Sequence, residues 1–242
     1  MNKPRPITKD QYFIGKATIG ETATEESPNI PNQYQRHAKI FSEQESQRLP
    51  KHIVWDHAIE LLPGAPSTLP GRLLPLTQEE IAEAKKFIEE HLCRNTIRLS
   101  WSPYAANFFF VKKKDGKLRP VQDYRPLNKW TKKNRNVSPL IPSVVDRLAG
   151  CTLFTKFNIR WGYNNICIKP GNEWKAAFLT SEGLFEPTVM FFGLTNSPAT
   201  FQMMMNTIFQ RQVMLGWFSI FMDDGVIHTK QRPDETKEQH IE

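Results

Sequence analysis

Apolar residues recur every three or four positions along residues 77–92, which is the spacing of a helix that buries one face. The members of this apolar stripe are Ile81, Ala84, Ile88 and Leu92. Thr77 and Glu80 have the spacing of a capping box, and Leu76 can pack against Ile81 as a hydrophobic staple. The pattern therefore predicts a scaffold helix that begins directly after Thr77.

Beyond residue 100 the apolar positions fall in short runs separated by turn residues, which is typical of β-strands. Asp115 and Gly116 lie between two such runs. Because glycine supplies the positive φ that a tight turn needs, a β-hairpin is predicted here. Four further strands are predicted at residues 151–159, 164–169, 175–180 and 186–194.

A second helix is predicted over residues 197–213, SPATFQMMMNTIFQRQV. Ser197 has the residue type of an N-cap, and Pro198 suits the first helical position because no N–H partner is needed there. The predicted inner face consists of Phe201, Met204, Met205 and Ile208. A last hairpin follows, with arms at 216–222 and 225–228 and two aspartates at its tip. Because strands and helices are segregated along the chain, the predicted fold class is α+β.

The remaining segments carry little periodic pattern. Residues 1–50 are polar and are interpreted as a linker or disordered tail, and residues 51–76 as an extended, proline-rich lead-in. Cys93, Cys151 and Cys167 are far apart, with no CxxC or Cys/His cluster, which argues against a disulfide framework and against structural zinc. No apolar run approaches the roughly 20 residues that span a bilayer. The protein is expected to be soluble and intracellular, in a cytoplasmic particle or the nucleus, without a membrane partner.

The formal net charge of +7 favours a polyanionic partner. Residues 112–135 hold ten basic residues against Asp115 and Asp123, so this segment alone has a larger surplus than the whole chain. The basic residues are Lys112, Lys113, Lys114, Lys117, Arg119, Arg125, Lys129, Lys132, Lys133 and Arg135. A rigid hairpin with this charge suits phosphate contact, with lysine as a point charge and arginine as a bidentate fork. A solvated charged loop is the alternative.

Asp223 and Asp224 stand side by side inside an apolar stretch, GWFSIFMDDGVIHTK. Adjacent carboxylates repel each other and cost desolvation, so the pair makes sense if divalent cations bind there. Mg²⁺ prefers a few carboxylates together with substrate phosphates. Two such ions about 4 Å apart can activate a hydroxyl and stabilise the leaving oxygen of a phosphoryl transfer. Exposed loops also carry aspartate pairs, and here the apolar surroundings favour a cation site.

Four stretches, in order along the chain, resemble the reverse transcriptase of gypsy-like long-terminal-repeat retrotransposons, in particular fungal copies. They are VKKKDGKLRPVQDYRPLN, FTKFNIRWGYNNICIK, EWKAAFLTSEGLFEPTVMFFGLTNSPATFQ and FMDD. The resemblance runs from about residue 52 to the C-terminus. It implies a right-hand polymerase fold, with fingers at residues 77–150, palm at 151–242 and the thumb absent. The implied activity is that of an RNA-directed DNA polymerase, which adds deoxynucleotides to a primer 3′-OH by two-metal phosphoryl transfer.

The resemblance also implies site residues, a cofactor and partners. Asp223 and Asp224 would bind two Mg²⁺ ions, for which Mn²⁺ is an alternative. The implied nucleotide contacts are Lys113 and Arg119 at the triphosphate, Tyr163 at the sugar, Phe192, Gly193 and Pro198 at the pocket floor, and Met222 beside the primer end. The implied phosphate contacts to an RNA or DNA template with its primer are Lys112, Lys114, Lys117 and Arg125. For the two aromatic residues, ordinary core packing is the alternative. Thumb, connection, RNase H and integrase domains are expected downstream in an intact element.

The chain departs from the family pattern at three positions. The family's first catalytic strand carries a third aspartate, and here that position is Asn158. An amide oxygen binds Mg²⁺ more weakly than a carboxylate and leaves the repulsion between two ions less compensated. Because each ~1.4 kcal/mol is tenfold in rate, a severely impaired polymerase is predicted. Gly225, where a branched apolar residue is usual, and Cys167, where a basic residue is common, also fit a decaying copy. The alternatives are a catalytically inactive remnant that still binds nucleic acid, and a folded relic.

Overall fold

The computed structural model describes residues 30, 32–42, 45, 47–134, 141–231 and 235–236. The chain divides into two units between Glu45 and Ser46, and each is considered by itself. In the first unit, Asn32–Phe41 forms a 3-10 helix. Most of residues 1–50, interpreted above as a linker or tail, lie outside the described residues.

The second unit combines helices and two sheets, which confirms the α+β class. Its helices are α1 (Gln78–Cys93), α2 (Arg125–Trp130), α3 (Ile141–Leu148), α4 (Ser197–Ile208) and α5 (Gln210–Met214). Its strands are β1 (Ile97–Leu99), β2 (Ala106–Lys112), β3 (Leu118–Asp123), β4 (Leu153–Asn158), β5 (Phe178–Thr180), β6 (Gly183–Pro187), β7 (Phe218–Phe221) and β8 (Asp224–Thr229). Two 3-10 helices, Gly162–Asn165 and Glu173–Ala176, lie between β4 and β5. Within the described part of the chain, no helix is long and apolar enough to cross a membrane.

The predicted scaffold helix is α1, and its capping box is confirmed. The Thr77 hydroxyl accepts a hydrogen bond from the Glu80 N–H, and the Glu80 carboxylate accepts one from the Thr77 N–H at 2.8 Å. Ala84 and Ile88 are buried as predicted. Leu92, however, is 37% exposed, and His91 occupies the inner face of the last turn instead. The imidazole is tolerated there because its Nδ1 lies 2.7 Å from the Thr96 hydroxyl.

Five strands form one sheet in the order β1-β6-β5-β2-β3. The β2–β3 hairpin is the one predicted at Asp115-Gly116, and Gly116 adopts a φ of +81° in the turn. The pairing of β2 with β5 is parallel, and the other pairings are antiparallel. The sheet therefore takes strands from both sides of residue 150, and the division into fingers and palm at that residue stays a proposal. The main hydrophobic core lies between this sheet and α1.

The second sheet has three antiparallel strands in the order β4-β8-β7. A separate hydrophobic cluster joins it to α4, through Phe201, Met204 and Met205 on the helix and Phe218 and Ile220 on β7. These three α4 residues are buried as predicted. Ile208 was predicted on the same face but is 52% exposed, because α4 ends at that residue.

Two predicted strands are placed differently by the structure. In residues 164–169, Cys167 and Ile168 make isolated bridges to Val189 and His57 rather than a continuous ladder. The strand expected at 186–194 lies earlier, as β6. The chain leaves the sheet after Pro187, which has no N–H to donate, and the Thr188 hydroxyl then donates to the Asn95 carbonyl at 2.7 Å.

The predicted helix at 197–213 is interrupted, because Phe209 separates α4 from α5. Its N-cap is Asn196 rather than Ser197, which is the first helical residue, so Pro198 lies at the second position. The Asn196 side chain is engaged elsewhere: its Oδ1 accepts from the Asn134 N–H, and its Nδ2 donates to the Lys132 carbonyl. The helix start is therefore held by tertiary contacts rather than by a side-chain cap.

Candidate functional site

The last hairpin brings the two aspartates against the strand that carries Asn158. Strands β7 and β8 pair up to Phe221 and Asp224, so the two-residue turn is Met222 and Asp223. The tip was predicted to be the aspartate pair, but Asp224 is already the first residue of β8. In the neighbouring pairing, Asn158 lies directly opposite Asp224, and the Ile159 N–H donates to the Asp223 carbonyl at 2.9 Å. The backbones of Asp223 and Asp224 therefore lie beside the strand of Asn158 at one end of this sheet.

The carboxylate of Asp224 has two hydrogen-bond donors at a single oxygen. Lys156 Nζ lies 3.1 Å from Oδ1, and Asn158 Nδ2 lies 3.3 Å from the same atom. The Lys156 ammonium, and after it the Asn158 amide, lower the pKa of Asp224 below its ordinary value. Sequence reasoning did not identify Lys156. The signal was available, because residues two apart on a strand share a face.

A buried glutamine holds the turn in place. Gln202 on α4 is 2% exposed; its Oε1 accepts from the Met222 N–H at 2.8 Å. Its Nε2 donates to Asn206 Oδ1 at 2.8 Å and to the Ile220 carbonyl at 3.4 Å. Met222 has a φ of +55°, an unfavourable conformation for a side chain with a Cβ. The hydrogen bond from the buried glutamine therefore stabilises a strained turn, and a glutamine inside an apolar helix face was the sequence signal for it.

Gly225 was interpreted as a weak point of the strand, and the structure gives a packing reason for it instead. It pairs directly with Phe157 on β4, and a Cβ at this position would lie 2.6 Å from Cε2 of the Phe157 ring. That ring stacks on Phe218, with centroids 5.7 Å apart and an interplanar angle of 7°. The aromatic ring covers the glycine, as in other sheets where an aromatic side chain compensates for a missing one.

Four of the predicted nucleotide contacts form a connected path from the first sheet to the aspartate hairpin. Arg119 on β3 lies with its guanidinium 5.1 Å from the centre of the Phe192 ring. The Phe192 ring, 55% exposed, is 4.6 Å from that of Tyr163. The Tyr163 hydroxyl points at Met222 Sδ, 4.0 Å away. Burial, and after it the Asp223 charge, raise the pKa of Tyr163 above its ordinary value.

Small residues allow this close approach. A Cβ on Gly162 would lie 3.3 Å from the Asp223 Cβ and 3.1 Å from the Phe201 ring, so a larger residue would push the turn away. Gly193 has a φ of +97°, which favours glycine. Its carbonyl accepts from Asn128 Nδ2 at 2.7 Å. Pro198 is partly buried in the first turn of α4.

The predicted phosphate contacts differ in their surroundings. Lys112, Lys113, Lys114 and Lys117 are exposed at the end of the β2–β3 hairpin. Arg125 instead makes a bidentate ion pair with Asp123, with both N···O distances at 2.7 Å, so its guanidinium already has a carboxylate partner. Of the other basic residues, Lys132 pairs with Glu60 at 3.2 Å. Arg135 lies outside the described residues.

Comparison with known proteins gives the family. Residues 111–242 match the family described as reverse transcriptase (RNA-dependent DNA polymerase). The chain belongs to the reverse transcriptase family. It is 34% identical over 210 residues to the Transposon Tf2-3 and Tf2-4 polyproteins of Schizosaccharomyces pombe. The alignment covers 87% of this reverse transcriptase chain and 16% of each relative, and the fungal source agrees with the resemblance seen in the sequence.

The fold is that of solved reverse transcriptases. The foamy viral protease-reverse transcriptase in complex with RNA/DNA hybrid has a TM-score of 0.66 at 19% identity, over 89% of this chain and 29% of that one. The dRH form in complex with ds DNA has a TM-score of 0.67 at 21% identity, over 85% and 37% of the two chains. The predicted right-hand polymerase fold is therefore confirmed.

Reverse transcriptases generally use divalent metal ions. The side chains near the aspartate hairpin of this chain can be compared with the ligands that such ions require. Asp223 and Asp224 supply the hard carboxylate oxygens that suit one such ion. A second ion would have fewer anionic ligands. Asn158 directs its NH₂ rather than its oxygen at Asp224, and Lys156 brings a positive charge to the same carboxylate. The residues therefore fit divalent cations, with weaker binding than three carboxylates would give.

Proposed function

We propose that this chain is the polymerase domain of a retrotransposon polyprotein and adds deoxynucleotides to a primer 3′-OH on an RNA or DNA template. The cations would be two Mg²⁺ ions, with Mn²⁺ as a replacement. RNase H and integrase domains would belong to the same polyprotein, which acts inside the cell in a cytoplasmic particle or the nucleus. The observation that carries the proposal is the direct pairing of Asn158 with Asp224, which puts the aspartate hairpin at the family's first catalytic strand.

Each residue of the site has a task in this chemistry. Asp223 and Asp224 hold the cations, which when bound lower the pKa of the attacking hydroxyl and neutralise charge on the phosphates. Arg119 and Lys113 bind the triphosphate, and the Phe192 ring beneath the guanidinium orients Arg119 for that contact. Tyr163 supports the nucleotide sugar and screens against a 2′-OH, with Gly193 and Pro198 shaping the pocket floor. Met222 lies beside the primer end.

Polymerisation by this chain is proposed to be strongly weakened by Asn158 together with Lys156. A unit charge about 4 Å from an ion is worth ~1 kcal/mol in bulk water and ~4 kcal/mol at an effective dielectric constant of 20. With ~1.4 kcal/mol for each factor of ten, the missing carboxylate corresponds to a loss of about fivefold to a thousandfold. Lys156 adds to this loss, because its ammonium competes with cations for Asp224.

Primer extension tests this proposal. The unmodified chain and its Asn158→Asp variant are compared on an RNA template with a DNA primer, once with Mg²⁺ and once with Mn²⁺. We expect the restored carboxylate to raise the extension rate by about fivefold or more. An Asn158→Asp/Asp224→Asn variant is the matched control, because it keeps the number of carboxylates but removes one from the hairpin. Equal rates for the unmodified chain and Asn158→Asp would overturn the claim of impairment.

A second candidate is a nucleic-acid-binding remnant without catalysis. It is favoured by the four exposed lysines of the β2–β3 hairpin, whose contact with phosphate does not depend on the metal site. Binding of an RNA/DNA hybrid is measured at several salt concentrations, for the unmodified chain and a variant with Lys112, Lys113, Lys114 and Lys117 changed to glutamine. We expect weaker binding and a shallower salt dependence in the variant. Salt-independent binding would exclude phosphate contact by these lysines.

A further inference from the structure

Three side chains of different chemistry meet at a place that the polymerase chemistry does not use. They are His52 and Asp56, in the segment before α1, and Cys167, which follows the first 3-10 helix after β4. One ligand atom from each, an imidazole nitrogen, a carboxylate oxygen and the thiol sulfur, lies within 4.8 Å of the other two. The sequence argued against structural zinc because the three cysteines are far apart and form no CxxC or Cys/His cluster. Cys167 is more than 100 positions from His52 and Asp56, and only the fold brings it to them.

Backbone pairing fixes the two segments to each other. The His57 N–H donates to the Cys167 carbonyl, and the Lys169 N–H donates to the His57 carbonyl, both at 2.8 Å. The Cys167 thiol is in turn 3.3 Å from the Pro50 carbonyl. Because the pairing includes the residue next to Asp56, the backbones of Asp56 and Cys167 cannot separate without breaking these hydrogen bonds.

The aspartate is oriented before any ion arrives. One oxygen of Asp56, Oδ1, accepts from the Ile53 N–H at 3.0 Å, and Oδ2 lies 2.5 Å from His52 Nδ1. The side chain of Asp56 is 9% exposed and that of His52 is 58% exposed. Asp56 and Cys167 therefore have little exposure to solvent, whereas the exposed His52 side chain can approach them from the solvent side.

We propose that His52, Asp56 and Cys167 form a binding site for a borderline-soft divalent cation of the Zn²⁺ class, apart from the aspartate hairpin. Zn²⁺ binds this combination of nitrogen, oxygen and sulfur, and sites with three protein ligands complete a tetrahedron with water. Bond lengths of about 2.0–2.3 Å put neighbouring ligand atoms roughly 3.5 Å apart. The contact of 2.5 Å between His52 Nδ1 and Asp56 Oδ2 therefore has to open to this separation, which a rotation of the exposed His52 side chain allows. The ion would replace the His52–Asp56 contact and tie the segment before α1 to the strand region of Cys167.

Burial, and after it the charges of Asp56 and Glu173, raise the pKa of the Cys167 thiol to about 11. The metal-free cysteine is therefore protonated, and a cation must displace the thiol proton to bind the thiolate. Competition with the thiol proton limits the affinity of the site for the cation. A thiolate ligand also selects against Mg²⁺, which has little preference for sulfur.

Co²⁺ is the probe, because thiolate-to-cobalt charge transfer gives a near-ultraviolet band and four-coordinate Co²⁺ gives strong visible bands. Co²⁺ is titrated into the full chain, followed by Zn²⁺. We expect both band systems, their loss on addition of Zn²⁺, and loss of the charge-transfer band in Cys167→Ser. His52→Ala should weaken Co²⁺ binding by roughly tenfold or more, since even the partners of metal ligands are worth 10–100-fold. His52 is exposed, so this variant does not disturb the core.

Two controls separate this site from others. Cys151→Ser is the matched cysteine control, because the Cys151 sulfur lies 3.6 Å from His228 Nδ1 and offers a cysteine–histidine pair elsewhere. Asp223→Asn/Asp224→Asn removes the carboxylates of the polymerase site. Both variants should keep the charge-transfer band. The proposal is overturned if the band is absent from the unmodified chain, survives Cys167→Ser, or disappears with Cys151→Ser instead.

Discussion

Lys156→Met is the sharpest test of how charge at the aspartate hairpin controls cation binding. The substitution removes an ammonium 3.1 Å from Asp224 Oδ1 and keeps an unbranched apolar stem of similar length. Two unit charges about 4 Å apart interact by ~1 kcal/mol in bulk water and by ~4 kcal/mol at an effective dielectric constant of 20. The side chains of Lys156 and Asp224 are 66% and 46% exposed, so solvent screening favours the lower value. A gain of ~1 kcal/mol corresponds to about fivefold tighter cation binding.

The assay is Mn²⁺ binding, followed by the electron paramagnetic resonance signal of the free ion, which is lost on binding. Asp223→Asn/Asp224→Asn defines the binding that does not belong to the hairpin. Lys156→Arg is the matched control, because it keeps the positive charge and should leave the Mn²⁺ affinity near that of the unmodified chain. The free energy of unfolding should change by less than ~1 kcal/mol in all these lysine variants, since exposed ion pairs contribute little.

Two results would refute the electrostatic reasoning. If Lys156→Met binds Mn²⁺ no more tightly than the unmodified chain, the ammonium does not compete with the cation. If Lys156→Arg gains as much affinity as Lys156→Met, a change of side-chain shape rather than of charge is responsible. Combining Lys156→Met with Asn158→Asp should give a larger gain than either change alone, because both make the same place more negative.

Three further outcomes are expected. Gly225→Ala should lower the free energy of unfolding, measured in urea, by about 1–3 kcal/mol through overpacking. Adding Phe157→Leu should recover part of this loss. If Gly225→Ala leaves the free energy of unfolding unchanged, the close packing is contradicted. Gln202→Leu should cost about 1–3 kcal/mol, because it removes the acceptor of the partly buried Met222 N–H and the donor to the buried Ile220 carbonyl. Asn206→Ala, on the exposed side of the same glutamine, should cost less. Burial lowers the pKa of His57 from 6.5 to about 4. Between these pH values the imidazole is protonated in the unfolded chain but neutral in the folded chain. The free energy of unfolding should therefore fall as the pH drops from about 6.5 to 4; His57→Asn should flatten this decline, and an unchanged slope would contradict it.

The sequence was most informative where a local pattern and its tertiary surroundings agree. The capping box of α1 and the Asp115-Gly116 hairpin depend on residues within a few positions of each other, and both are present as predicted. The strand predicted at 186–194 lies at Gly183–Pro187 in the structure. It ends at Pro187, which has no N–H to donate to a neighbouring strand, and the sequence alone did not reveal that the strand begins earlier. Leu92 was misplaced because a histidine with a hydrogen-bond partner can replace a leucine on a buried helix face.

The sequence motif predicted where the site lies, but it did not predict which other side chains contact the aspartate hairpin. The position of Asp223 and Asp224 beside Asn158 follows from a hairpin that pairs with β4, and the resemblance implied that arrangement. The roles of Lys156 and Gln202 depend on side-chain directions that appear only in three dimensions. The packing of Phe157 over the glycine after the aspartates also needed the register of the strands, which a single sequence does not determine.

The mixed strand order of the five-stranded sheet has a consequence for synthesis on the ribosome. Among the residues that the structure describes, strand β1 pairs only with β6, and 88 residues separate Leu99 from Pro187. At 5–20 residues per second, β1 must wait roughly 4–18 s for its neighbour to be translated. During that interval β2 also has one open edge, and an unpaired strand edge is a surface that promotes aggregation. A nascent chain that stalls near residue 150 is thus expected to misassemble rather than to wait as a stable half.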